Sequence, residues 1–104
     1  MKLTVLERLM SIQVLSEYKE GNFITFKTIK ELRAKLFPDE EEVKKFDLCI
    51  KENKYFWNSY GNEPVDLNLT EGEIKLLKDK LEELNAQNKL VEDYYSLYEL
   101  IIGQ

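Results

Sequence analysis

Enzyme chemistry needs groups that attack, shuttle protons or hold a metal, and this chain is short of them. It has no histidine. The usual general base, the usual partner of a serine or cysteine nucleophile and the commonest zinc ligand are therefore missing together. Cys49 is the one thiol. With no imidazole to deprotonate it, Cys49 reads as a passive side chain, and alone it cannot close an internal disulfide. Gly21, Gly61, Gly72 and Gly103 are isolated and form no phosphate-binding loop. The acid run Asp39-Glu40-Glu41-Glu42 offers oxygen ligands to a hard cation. It lacks the ligand spacing and the glycine of a calcium loop. It reads instead as a helix start, with Glu41 and Lys45 paired one turn apart. The expectation is a protein that is not an enzyme, with no catalytic residue, no metal and no cofactor.

The chain does carry aromatic and acidic side chains in excess of need. Tyr55, Phe56, Trp57 and Tyr60 lie close together, and Trp and Tyr are favoured interface anchors. Strand alternation puts Phe56 on one face and Tyr55 and Trp57 on the other. Two coverings of the aromatic faces stay open: the chain's own C-terminal helices, or a partner. Tyr94, Tyr95 and Tyr98 cannot all enter one core from one helix. Tyr95 is left outward, on the side of Glu99, while Tyr94 and Tyr98 pack inward with hydroxyls reaching water. Glu82, Glu83, Glu92, Asp93 and Glu99 have no evident task at a helix start. The candidate partner-binding residues are therefore Tyr55, Trp57, Tyr60, Glu82, Glu83, Glu92, Asp93, Tyr95 and Glu99.

These residues need elements to position them. Thr4-Val5-Leu6-Glu7 is a capping box, and Leu6, Leu9, Met10 and Gln13, widened by Val5 and Ile12, continue it as a helix over 4–16. Gly21-Asn22 turns the chain. Phe23 to Phe26 is an apolar run that suits a short strand or the entry to a helix. Thr28-Ile29-Lys30-Glu31 is a second capping box, which puts a second helix over 26–36, ended by Pro38. Asp39 caps a short third helix over 39–46. The period then falls to two. Residues 48–57 and 64–69 read as the arms of one antiparallel hairpin across the turn Asn58 to Asn62. Thr70-Glu71-Gly72-Glu73 caps a helix over 71–86, with Ile74, Leu77, Leu81 and Leu84 in register. A last helix over 92–102 pairs with it antiparallel. The fold class is α+β and mainly helical: three N-terminal helices, a hairpin in winged-helix-like order, and a C-terminal helix pair.

At 104 residues, 43% of them hydrophobic, the chain suits one domain with a real core. The formal net charge of −5 is uneven. Residues 1–52 hold ten acids and ten bases, and residues 53–104 hold ten acids and five bases. The acidic balance and the acid-led third helix oppose direct nucleic-acid binding. Charges interrupt the N-terminal apolar run, so it does not read as a signal peptide. No segment is apolar enough to span a membrane. A reducing cytoplasm suits the lone cysteine.

Several short patterns recur together: Thr4 to Leu9, Glu20 to Phe23, Thr28 to Leu32, Asp39 to Glu42, Trp57, Asn88 to Leu90 and Ser96 to Glu99. In these the chain resembles a family of small uncharacterised proteins of bacteriophages and prophages. The resemblance implies a phage or prophage origin and expression in a bacterial cytoplasm. It implies no activity. The functional expectation is a non-catalytic phage-type protein that acts by protein–protein interaction, as an inhibitor of a host or defence protein. The alternatives are an acidic nucleic-acid mimic that blocks a DNA- or RNA-binding site, and a self-associating structural or accessory protein, which would be a homo-oligomer.

Overall fold

The computed structural model describes residues 1–103. Its elements run β1 (Lys2–Leu3), α1 (Val5–Leu15), α2 (Phe23–Leu36), α3 (Glu40–Phe46), β2 (Cys49–Lys51), β3 (Lys54–Phe56), β4 (Val65–Asp66), α4 (Glu71–Ala86) and α5 (Tyr95–Ile102). Short 3-10 turns cover Ser59–Asn62 and Glu92–Tyr94. The α+β, mainly helical class read from the sequence is the class observed.

Three helix starts are set by reciprocal caps. The Thr4, Asp39 and Thr70 side chains each accept from the third helical N–H, and Glu7, Glu42 and Glu73 reach back to the cap N–H. The acids are also well placed against the positive helix end. The Thr28 box does not start a helix. Asn22 caps α2 instead, accepting from the Thr25 N–H at 2.8 Å, so Phe23 to Phe26 are its first turn and not a strand. Thr28 then sits inside the helix, with its hydroxyl bonded to the Ile24 carbonyl. The strand that a winged helix places between its first two helices is therefore absent among the described residues. At the other end of the chain Glu92 to Tyr94 form a 3-10 turn, and only Tyr95 onward is α-helix.

The hairpin also closes differently. β2 and β3 pair with each other, Cys49 opposite Phe56 and Lys51 opposite Lys54. Glu52 and Asn53 both take positive φ, as a two-residue hairpin turn with strand-matching twist requires. The 64–69 arm does not join them. β4 pairs with β1, Leu3 opposite Val65, and the Leu67 N–H donates to the Met1 carbonyl. The N-terminus thus ties the start of α1 to the approach of α4.

α1 is the central element, packed on α2, α4 and α5. Its inner face joins Val14 and Leu15 to Leu32, Leu36, Leu77, Leu81 and Leu97 in the main core. A smaller cluster of Val5, Leu9 and Phe46 sits at its other end, with Leu48 and Trp57 packed on it. Gly61 is buried against Trp57. A Cβ at Gly61 would lie 2.5 Å from the Trp57 Cδ1, so only glycine admits the indole there.

Two charged links lock the helices. Arg8 is 1% exposed. Its Nη1 and Nη2 donate to Glu42 at 2.6 and 3.1 Å, and its Nε donates to the Leu36 carbonyl at 2.7 Å. One guanidinium thus joins α1, the end of α2 and the start of α3. Glu42 takes Arg8, and no Glu41–Lys45 pair forms among the described residues. The Arg8 hydrogen bonds hold the Glu42 carboxyl below its usual range against the effect of burial. Glu73 is buried and takes Lys35 from α2 at 2.7 Å. Burial pushes its carboxyl up, but the Lys35 and Thr70 bonds outweigh this and leave it lowered. Tyr18 docks the α1–α2 connection on α4, donating to the Leu76 carbonyl, with Lys80 4.4 Å from its ring centre. Burial and the nearby Asp79 and Glu83 push its phenol up to about 12.

Candidate functional site

α1 buries one face and leaves Leu6, Met10 and Gln13 toward the surface, because its apolar residues span more of the helix than the core can cover. Two hollows open along this outer face. The first, of about 660 Å³, lies between α1, the end of α2 and the β2–β3 hairpin. Leu9, Met10, Phe37, Tyr55 and Trp57 line it, with Arg33 and Lys54 among its polar residues. The second, of about 800 Å³, lies between α1 and the residues leading into α5. Leu90, Val91, Tyr95 and Tyr98 line it, with Glu92 and Asp93. Leu6 and Asp93 line both hollows, so the two form one groove.

The hairpin supplies one wall because its alternation works as the sequence implies. Tyr55 and Trp57 turn to the groove, and Phe56 turns away and is exposed. Tyr55 meets Phe37 edge to face, with ring centres 6.4 Å apart. Trp57 has a double role. Its ring packs on the small core cluster, and its Nε1 donates to Asn62 Oδ1 at 3.1 Å. The hairpin is not roofed by α4 and α5, so the aromatic faces stay accessible. At the end of the 3-10 turn Tyr94 is buried, and Tyr95, the first residue of α5, is 70% exposed, as their spacing predicts. Burial pushes the Tyr94 phenol up, and Glu17 and Asp93 add to the shift.

The groove gathers Tyr55, Trp57, Glu92, Asp93 and Tyr95 from the predicted set. The other four lie elsewhere. Tyr60 is exposed on its 3-10 turn, outside both hollows. Glu83 is paired with Lys80 at 2.8 Å on α4. Glu82 shares a shallow depression with Lys75, Lys78 and Asp79. Glu99 is exposed on α5 and lines neither hollow. Leu6, Met10, Arg33, Phe37 and Val91 join the groove without a sequence signal of their own, apart from the excess width of the α1 stripe. A separate apolar patch also escapes the sequence reading: Phe23 is 80% and Ile24 70% exposed at the start of α2.

The groove holds carboxylates, two cations, phenols and the Ser96 hydroxyl, which donates to Glu7 Oε2, on the carboxylate whose other oxygen closes the α1 cap. Among the described residues, no group of Cys, Asp and Glu side chains is placed to hold a metal ion, and no helix is long and apolar enough to cross a membrane. No family model matches the chain, and no curated protein or solved structure matches it either.

Proposed function

We propose that this chain is a small non-catalytic binding protein of bacteriophage or prophage type, which acts in the bacterial cytoplasm by occupying a surface of a host or defence protein. The observation that carries the reading is the groove. A domain this small keeps Leu6, Phe37, Tyr55, Val91 and Tyr95 exposed along one apolar channel. Contiguous exposed apolar surface with a polar rim is a mark of interaction sites. Rigid aromatics set in pockets are also the usual energetic anchors of interfaces.

The acidic-mimic reading has less to stand on. A mimic needs a continuous field of unpaired acids, whereas α4 interleaves its acids with lysines, as in the pairs Lys75–Asp79 and Lys80–Glu83. The self-associating reading would put a second copy on the same exposed residues, and sedimentation tests it directly.

The test is affinity capture from a bacterial host lysate at native expression, with the wild type beside a Tyr55→Ala/Tyr95→Ala variant. A partner retained by the wild type and lost by the variant supports the reading. Equal recovery by both proteins, or no specific partner, overturns it. Both tyrosines stand largely outside the core, so the variant should fold, and circular dichroism checks that it does.

A further inference from the structure

The groove has opposite charges at its two ends. Against the hairpin it carries Arg33 and Lys54, at the junction Asp93, which lines both hollows, and against α5 Glu92. All four side chains are exposed. None takes part in an ion pair among the described residues. Most other charged side chains among the described residues are unpaired too; these four are set apart by lying along the apolar channel. Four unpaired charges, sorted by sign along an apolar channel, are what a dipolar occupant would meet.

We propose that the groove takes a peptide segment of a partner protein whose charge order mirrors its own. Acidic side chains would lie against Arg33 and Lys54, apolar side chains would fill the two hollows, and basic side chains would lie against Glu92 and Asp93. This rests on the reading of the groove as a protein-binding surface. The apolar hollows supply most of the affinity, since burial of apolar area is the dominant favourable term in association. The exposed charges supply direction and partner choice, because complementary rim charges set orientation and encounter more than tightness. Asp93 lines both hollows, so the acidic end begins at the junction and the basic flank of the peptide must start there. A nucleic acid does not fit this order, because Glu92 and Asp93 repel phosphate.

The experiment selects peptides from a displayed library of random short peptides on three proteins: the wild type, a Glu92→Lys/Asp93→Lys variant and a Tyr95→Ala variant. The wild type should enrich peptides with an apolar centre, acids on one flank and bases on the other. The Glu92→Lys/Asp93→Lys variant makes both ends basic and should enrich peptides with acids on both flanks. Synthetic copies of the wild-type peptides should lose about two- to fivefold in affinity for each exposed pair removed. They should also weaken with salt. Tyr95→Ala should weaken every class. Peptides that need Tyr95 but show no flank preference, or the same peptides on both charge forms, overturn the charge-order proposal and leave the groove reading standing. No peptide dependent on Tyr95, including the case where a second copy of the chain occupies the groove, overturns both.

Discussion

Replacing Glu42 with glutamine isolates a buried charge and tests the Arg8 link between α1, α2 and α3. In the folded protein the guanidinium has lost almost all contact with water. Its compensation is a two-point bond to Glu42 and the Leu36 carbonyl. Glu42→Gln keeps an amide oxygen that can still accept from the Asp39 N–H, so the α3 cap survives. What it removes is the counter-charge and the acceptor of the Nη1 bond, since the amide nitrogen then faces Nη1. Breaking a buried pair from the side that leaves the other ion buried costs about 3–5 kcal/mol, and the partial exposure of the Glu42 side chain, 22%, puts Glu42→Gln near the low end, at about 3 kcal/mol. Arg8→Met is the opposite perturbation. Methionine replaces the apolar stem, Glu42 is 22% exposed and can turn to water, and the main loss is the unsatisfied Leu36 carbonyl, about 1–3 kcal/mol. The order of costs should therefore be Glu42→Gln above Arg8→Met. In the Arg8→Met background Glu42→Gln should cost less than about 1 kcal/mol, because no buried cation remains. The coupling in the double-mutant cycle is then about 2 kcal/mol. Urea unfolding of the four proteins, followed by circular dichroism, measures it. A Glu42→Gln cost that is equal in both backgrounds would refute the argument that the guanidinium depends on that carboxylate.

Two further outcomes follow from the same geometry. Glu42 and Glu73 have folded carboxyl pKa values lowered from 4.5, so their contribution to stability is present above that value and lost as pH falls through the lowered ones. The urea midpoint should fall as pH drops below about 4.5, the unfolded carboxyl value, and Glu73→Gln should flatten part of that fall; a midpoint unchanged down to pH about 3 would contradict it. Gly61→Ala should push the Trp57 ring off its seat, costing about 1–3 kcal/mol as an overpacked contact, with a shift in the emission of the single tryptophan that Gly61→Ser should exceed.

The caps were readable because they are local. Thr4, Asp39 and Thr70 each precede their glutamate by three residues, and all three boxes form. Thr28 has the same spacing and fails. Asn22 lies upstream of it and offers a cap first, and once Phe23 enters the helix Thr28 has no free N–H groups to satisfy. The hairpin error has a similar cause. Turn residues at Asn58 to Asn62 are dense, but Glu52 and Asn53 accept positive φ and turn the chain sooner. That leaves 64–69 free to meet the N-terminus, a pairing between residues more than sixty positions apart that no local pattern announces. The Arg8–Glu42 link is hidden for the same reason. Each residue looks sufficient where it stands, one in an amphipathic helix and the other in a capping box.

The groove was half readable, and the division is physical. Tyr55 and Trp57 share a face by strand alternation, and Tyr95 is forced outward by its neighbours Tyr94 and Tyr98; both are short-range constraints. Leu6, Arg33 and Phe37 come from three separate segments and meet only through the packing of α1 against α2. The polarity of the groove does not follow the division of charge between the halves of the chain. Arg33 belongs to the neutral half and Lys54 to the acidic half, yet they stand at the same end. The acids divide in the same way. Glu83 is paired within its own helix, Glu82 lies in a mixed patch of acids and lysines, and Glu92 and Asp93 are unpaired at the groove. A net charge of −5 therefore says little about a partner, whereas the position of four side chains along one apolar channel gives the proposed peptide an orientation that the selection can test.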